Sequence, residues 1–185
     1  MIEANKLRKG VTFELDGDLF KVIDYSHNKT ARGGATIRTK IRNLRSGATT
    51  ERTFNSSERV QDIRLEHQEV QYLYQDGDLF YFMNTETYEQ PMLSRDALED
   101  VIPYLFDGLV VKLSTYEGES IDLELPITID LEVVYSEPGH AGDTATGATK
   151  TVRLSTGLEV QTPLFVNEGD IIRVDTRTGE YITRV

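Results

Sequence analysis

The sequence is a succession of short segments in which apolar and polar residues alternate, and this pattern constrains the fold more than any other feature. Residues 11–15 and 19–25 are two such segments, with a turn at residues 16–18 between them. Alternation sends successive side chains to opposite faces of an extended chain, which is typical of strands in a half-buried sheet. Together with residues 35–43 and 48–54, they predict four or five strands, as in a small SH3-like barrel.

The remaining two thirds of the chain continue this pattern, so the predicted fold class is all-β. One segment differs, because residues 94–105 have apolar residues at helical spacing from Leu98 onwards, behind Ser94 as a candidate N-cap. We predict a helix there, which Pro103 ends early. The other segments are predicted strands, at residues 70–74, 79–83, 108–113, 121–125, 129–134, 150–155, 158–166, 171–175 and 180–184.

The chain divides into three predicted domains, residues 1–64, 65–127 and 128–185. A weak internal repeat connects the last two. The apolar run that follows Gly77 and the one that follows Gly169 end in similar polar residues, with a gap of one residue. A true repeat would imply two related five-stranded barrels of the OB type, and the alternative is a chance similarity between two hairpins.

Charge is distributed unevenly along the chain, whose formal net charge is −11. The first domain holds 13 Lys and Arg against 8 Asp and Glu, a net of +5, and the second holds 2 against 14, a net of −12. This asymmetry indicates nucleic-acid contact by the N-terminal end, although an acidic excess also aids solubility. Within residues 21–45 the basic residues are Lys21, Lys29, Arg32, Arg38, Lys40, Arg42 and Arg45.

Several classes of function are disfavoured. The chain has no cysteine and only three histidines, which lie far apart, so we predict no metal and no cofactor. Residues 142–147 resemble the start of a phosphate-binding loop, but Ala148 stands where that loop needs lysine. No catalytic motif occurs, and an enzyme is disfavoured. No segment resembles a secretion signal or a membrane span, so we expect a cytoplasmic protein without membrane contact.

The positive evidence is a basic strand face. Arg38, Lys40 and Arg42 alternate, so they share one face at intervals of about 6.6 Å, with the residues between them directed to the core. Such a face binds RNA phosphates or is simply solvated.

The loop that leads into this strand strengthens the RNA-binding interpretation. It carries Lys29 and Arg32, and Gly33 and Gly34 would allow a partner to approach the backbone closely. The alternative is a hairpin tip whose glycines serve only the turn.

Motifs spread along nearly the whole chain, in order, resemble those of bacterial elongation factor P. They extend from His27 to Ala35, Arg38 to Gly47, Arg52 to Phe54, Gln71 to Tyr74, Met83 to Gln90, Pro138 to Thr144 and Gly157 to Tyr181.

The resemblance implies a KOW/SH3-like barrel followed by two OB folds, in an elongated tRNA-like arrangement. It implies binding to both ribosomal subunits between the P and E sites, beside the P-site peptidyl-tRNA, and relief of stalling at consecutive prolines by positioning that tRNA. The tRNA- and rRNA-binding residues that it implies are Lys29, Arg32, Gly33, Gly34, Arg38, Lys40 and Arg42 in the first domain and Gly142, Asp143 and Thr144 in the third.

Arg32 departs from the commonest family pattern, in which a lysine at the tip is extended by β-lysylation in some bacteria. Arginine excludes that modification here, whereas some arginine-bearing relatives are rhamnosylated, so Arg32 is a candidate modification site and an arginine-modifying enzyme a candidate partner.

Two alternatives stay open. One is a paralogue with the same fold, and the other is a general RNA-binding OB-fold protein, which would need exposed aromatic platforms. The aromatic residues of the second domain are expected in the core and in hairpin packing, namely Tyr72, Tyr74, Phe80, Tyr81 and Phe82.

Overall fold

The computed structural model describes residues 1–28, 34–139 and 147–185. Within these ranges the chain forms sixteen β-strands in three antiparallel sheets, with one α-helix of four residues. The predicted all-β fold class is confirmed. In the described part of the chain no helix has the length and apolar character needed to cross a membrane.

The first sheet forms the N-terminal barrel, with Phe13, Ile37 and Phe54 fully buried in its core. Its strand order is β1-β6-β2-β3-β4-β5. The predicted strands are present, and the structure adds β1 and β6, which pair with each other. The strands are β1 (Ile2–Glu3), β2 (Thr12–Leu15), β3 (Asp18–Asn28), β4 (Thr36–Asn43), β5 (Thr49–Asn55) and β6 (Arg59–Asp62).

The second and third sheets each have five strands and share one topology. If the strands of each barrel are numbered 1 to 5 along the chain, both sheets have the order 3-2-1-4-5. The first strand of each barrel therefore lies between the second and the fourth. The central barrel consists of β7 (Glu66–Asp76), β8 (Leu79–Asn84), β9 (Met92–Ser94), β10 (Val110–Tyr116) and β11 (Glu119–Glu124). The C-terminal barrel consists of β12 (Thr128–Ser136), β13 (Thr149–Leu154), β14 (Glu159–Pro163), β15 (Ile171–Asp175) and β16 (Tyr181–Arg184).

The predicted internal repeat does not match this shared topology. It aligns β8, the second strand of the central barrel, with β15, the fourth strand of the C-terminal barrel. What the two segments share is a turn. The side-chain oxygen of Asn84 accepts hydrogen bonds from the backbone N–H groups of Glu86 and Thr87, at 2.8 and 2.9 Å. Asp175 accepts one from the N–H of Arg177 at 2.8 Å in the same way, so the similarity reflects a common turn chemistry.

The predicted helix over residues 94–105 is wrong in extent. The structure has a short α-helix, α1 (Arg95–Leu98), and a separate 3-10 helix at Ile102–Tyr104. Ser94 ends β9 and makes no side-chain cap. Pro103 disfavours α-helical geometry at the residue before it and has no N–H to donate, so α1 cannot continue through this segment.

Three clusters of buried apolar residues stabilise the barrels and the contacts between them. One fills the N-terminal barrel, and a second runs through the central and C-terminal barrels together. A third cluster, built on Leu19, Leu44, Ile63 and Ile121, joins the N-terminal barrel to the central barrel. We call the contact between these two barrels the junction.

Candidate nucleic-acid interface

The basic face lies on β4, in the middle of the long β3–β4–β5 ladder. Ile37, Thr39 and Ile41 point into the core, where they are at most 2% exposed. Arg38 and Lys40, between them, are exposed on the opposite face. This is the alternation that the sequence predicts, and it arises because apolar side chains at every second position fill the barrel.

The connection between β3 and β4 carries four of the ten predicted contact residues. Lys29, Arg32 and Gly33 lie outside the described residues, and so do Gly142, Asp143 and Thr144 of the C-terminal barrel. Gly34 is described, and a Cβ at this position would meet no atom within 4 Å. Packing against the described residues therefore gives no reason for glycine at position 34.

Arg38 and Lys40 lie beside carboxylates on their outward face. Arg38 forms an ion pair with Glu51 of β5, and its side chain remains 60% exposed. Both cations line a depression of about 230 Å³, together with Asp24 and Tyr25 of β3. An exposed guanidinium that is held by one surface carboxylate stays available to a phosphate, because a surface ion pair contributes little free energy.

Arg42, the third residue of the predicted basic face, is turned towards the central barrel. It forms an ion pair with Asp100, and its side chain is only 33% exposed. The guanidinium Nε is buried and has no hydrogen-bond partner among the described residues. The RNA-binding role of Arg42 stays a prediction, and the side chain contributes to the junction.

Two further cations of residues 21–45 also cross the junction. Lys21 Nζ lies 2.7 Å from Asp122 and 3.8 Å from Glu124 of β11. Arg45 contacts Glu119 at 3.2 Å, and this hydrogen bond, with the charge of the same carboxylate, raises the pKa of Arg45 above its usual value. Part of the charge asymmetry in the sequence is therefore matched internally. Of the cations in this stretch that the structure describes, Arg38 and Lys40 face away from the junction.

A cation–aromatic group beside β3 was not anticipated from the sequence. The guanidinium of Arg8 lies 5.0 Å from the ring centre of Tyr25, whose ring meets that of His27 edge to face. Arg8 is held in place by donating to the backbone oxygens of Asn5 and Leu7, both at 2.8 Å. Arg8 precedes the predicted strands, so no local pattern connected it with Tyr25.

The described residues contain no cluster of three or more side chains suited to hold a metal ion.

Three family models match successive parts of the chain. "Elongation factor P (EF-P) KOW-like domain" matches residues 3–60, "Elongation factor P (EF-P) OB domain" matches residues 65–123, and "Elongation factor P, C-terminal" matches residues 129–184.

Curated relatives match over the full length. "Elongation factor P" of Moorella thermoacetica is 51% identical over 184 residues, and that of a Thermoanaerobacter species is 50% identical over 185 residues. Each alignment covers 100% of both chains. Among solved structures, "Eukaryotic translation initiation factor 5A from Methanococcus jannaschii" aligns at a TM-score of 0.48 and 21% identity, covering 68% of this chain and 90% of that one.

Proposed function

Because this chain belongs to the elongation factor P family, we propose that it binds the ribosome between the P and E sites and positions peptidyl-tRNA, so that peptide bonds form at consecutive prolines. The relatives are named as translation elongation factors, a class that is not enzymatic. The proposed partners are both ribosomal subunits and the P-site peptidyl-tRNA, and the proposed location is the cytoplasm.

The single observation that carries this proposal is the outward pair Arg38 and Lys40 on β4, the strand that follows the hairpin connection. Lysine and arginine contacts to phosphates fix the register of a protein on a nucleic acid without reading its bases. A factor that serves many tRNAs needs binding of this kind. Proline's ring constrains its amine, and holding the peptidyl-tRNA in a productive pose supplies orientation without acid–base chemistry.

The resemblance to the family suggests the roles of the remaining predicted residues. Arg32 would brace the tRNA near its CCA end with a permanently charged planar group, and Lys29 would add a second phosphate contact. Gly33 and Gly34 would allow the tRNA to approach the backbone. At the other end of a tRNA-like arrangement, Gly142, Asp143 and Thr144 would face the small subunit.

Substitution of Arg32 by alanine tests the assignment at the hairpin. Loss of the guanidinium should lower the yield of a reporter with a proline run by about tenfold in a reconstituted translation assay. A reporter without prolines should be made at the wild-type rate, and Arg59→Ala on β6 serves as a matched arginine control. Undiminished proline-run synthesis by the Arg32→Ala protein would remove Arg32 from the mechanism. If an arginine-modifying enzyme is a partner, natively expressed protein should be heavier than its sequence mass. Intact-mass measurement would show whether Arg32 carries such a modification.

Reversal of the outward charges tests the interface on β4. Arg38→Glu combined with Lys40→Glu should weaken ribosome binding by about tenfold at low salt. The slope of log affinity against log salt should fall by about 1 for each phosphate that the variant no longer neutralises. The control combines Arg59→Glu with Arg64→Glu, which changes the net charge equally on another part of the same domain. Equal effects of the two double variants would mean that net charge, and not this face, governs binding.

The paralogue alternative predicts a different cellular result. Ribosome profiling of a deletion strain should show pauses enriched at consecutive prolines if the chain is the general factor. Pauses at other sequences would support a paralogue with its own stall specificity.

A further inference from the structure

Strand β8 of the central barrel is apolar on both faces. Phe80 and Phe82 point into the core and are at most 2% exposed. Leu79, Tyr81 and Met83 point outwards and are exposed or half-buried. A barrel strand with one face in water normally alternates apolar and polar residues, whereas apolar residues on both faces are typical of a strand covered on both sides. Among the described residues, the inner face of β8 is fully covered, whereas its outer face is covered only in part.

The adjacent strands extend this surface. Tyr74 of β7 lies opposite Tyr81, and their rings stack at 4.7 Å with an interplanar angle of 16°. Met92 of β9 lies opposite Tyr81 on its other side. Tyr74 is 51% exposed and Met92 is 56% exposed. We call this three-strand surface the apolar outer face, and it consists of Tyr74, Leu79, Tyr81, Met83 and Met92.

This arrangement agrees with the sequence interpretation of the aromatic residues and adds one feature to it. Phe80 and Phe82 lie in the core as expected, and Tyr72 packs against it. Tyr74 stacks on Tyr81 across the β7–β8 hairpin, as expected, but half of its surface is also exposed to solvent. A single-stranded RNA-binding OB fold would need an exposed aromatic ring of this kind, so the charge around Tyr74 decides between an RNA and a protein partner.

The charge around the apolar outer face is negative. Asp76 lies opposite Leu79 across the ladder, on the same face. Asp78 follows in the turn with a side chain that is 87% exposed, and the nearby Arg95 is paired with it at 3.2 Å. The central domain has 14 acidic residues and only two basic ones, Arg95 and Lys112. RNA phosphates would be repelled here, and so would a second copy of the same acidic face.

We propose that the apolar outer face docks a lysine- and arginine-rich protein segment that also carries apolar side chains. The stacked rings of Tyr74 and Tyr81 offer a π-face to a guanidinium, and Asp76 supplies a complementary charge. Leu79 and Met92 provide contact for the apolar residues of the partner, and methionine adapts readily to irregular surfaces. This inference goes beyond the proposed function, because it concerns a protein partner and a barrel other than the one that carries the hairpin.

Substituting Met92 by residues of opposite charge tests whether the partner is positively charged. Titration of the full chain with a short peptide that alternates arginine and leucine should give a Kd about fivefold higher for Met92→Lys than for Met92→Glu. Met92 is largely exposed, so both variants should fold. The matched control is Val134, an exposed apolar residue of the C-terminal barrel, where Lys and Glu substitutions should differ by less than about twofold. Equal Kd values for the two Met92 variants would overturn the proposal.

Two further measurements distinguish the proposed protein segment from RNA and from a second copy of the chain as the occupant of this face. Amide chemical shifts should change at the apolar outer face on addition of the arginine–leucine peptide, and changes confined to other strands would overturn the assignment. If oligouridine binds this face more tightly than the peptide does, the occupant is RNA and the proposal is wrong. If the chain self-associates and Met92→Glu abolishes this, the occupant is a second copy of the chain and the proposal is wrong.

A photo-cross-linker at position 92 extends the test to purified ribosomes. A cross-link to a protein supports the proposal, and a cross-link to rRNA contradicts it. Failure of the wild-type chain to bind ribosomes would count against the proposed function, while the peptide titration would still decide the inference about this face.

Discussion

Replacing Gly47 with alanine should lower the free energy of unfolding by about 3 kcal/mol, a large effect for a single methyl group. Gly47 lies in the β4–β5 turn with a φ of +74°, a conformation that L-residues rarely adopt. A Cβ at this position would lie 2.5 Å from the backbone oxygen of Asp96 in α1. Because the obstructing atom is backbone, the two barrels would have to move apart to accommodate the methyl group. Denaturant unfolding of the variant measures the destabilisation.

Gly17 provides the matched control for this substitution. It also has a positive φ, +85°, but a Cβ there would meet no atom within 4 Å. Gly17→Ala should therefore show only the conformational cost of about 1 kcal/mol. The difference between the two variants isolates the contact across the junction, and equal destabilisation would show that the junction tolerates the methyl group.

Removal of the Asp122 carboxylate should have the second-largest effect. Asp122 and Lys21 meet at 2.7 Å across the junction, and their side chains are only 17% and 24% exposed. Asp122→Ala leaves the ammonium group of Lys21 with one more distant carboxylate in a partly dehydrated site, so we expect a destabilisation of about 2 kcal/mol. Chemical denaturation of Asp122→Ala, Lys21→Met and the double variant measures this effect and the coupling between the two residues.

The expected coupling in this cycle is about 1 kcal/mol, because the double variant no longer leaves a charge unpaired. Asp130→Ala offers a comparison, since the Asp130–Arg173 pair lies on one barrel and both side chains are about twice as exposed. That substitution should have a smaller effect. Additive effects of Lys21→Met and Asp122→Ala would mean that the ion pair across the junction does not stabilise the protein.

The fold was predictable where alternation runs long enough to be recognised. Strands such as β3 and β4 were located within a few residues, because each has at least eight residues. Strands β1 and β9, with two and three residues, are too short to show a period of two and were missed. The helix at residues 94–105 was overestimated, because the helical spacing of its apolar residues continues beyond Leu98, where α1 ends, and Pro103 was expected to end it only later.

The candidate site was predictable only in part. The sequence indicates which residues share the outward face of β4, but it does not indicate which cations another barrel neutralises. The partners of Lys21 and Arg45 lie 101 and 74 residues further along the chain, so no local pattern connects them. Tyr74 shows the same limitation for apolar residues, because alternation distinguishes two faces without revealing which of them is covered.

The apolar cluster shared by the central and C-terminal barrels has a consequence for how the protein unfolds. Exposing either of these barrels to water would remove packing partners from the other, so the two should melt as one cooperative unit. The N-terminal barrel has a cluster of its own and is attached through the smaller one at the junction. A chain with three sheets should therefore unfold as two thermodynamic units, and calorimetry should resolve fewer transitions than there are barrels.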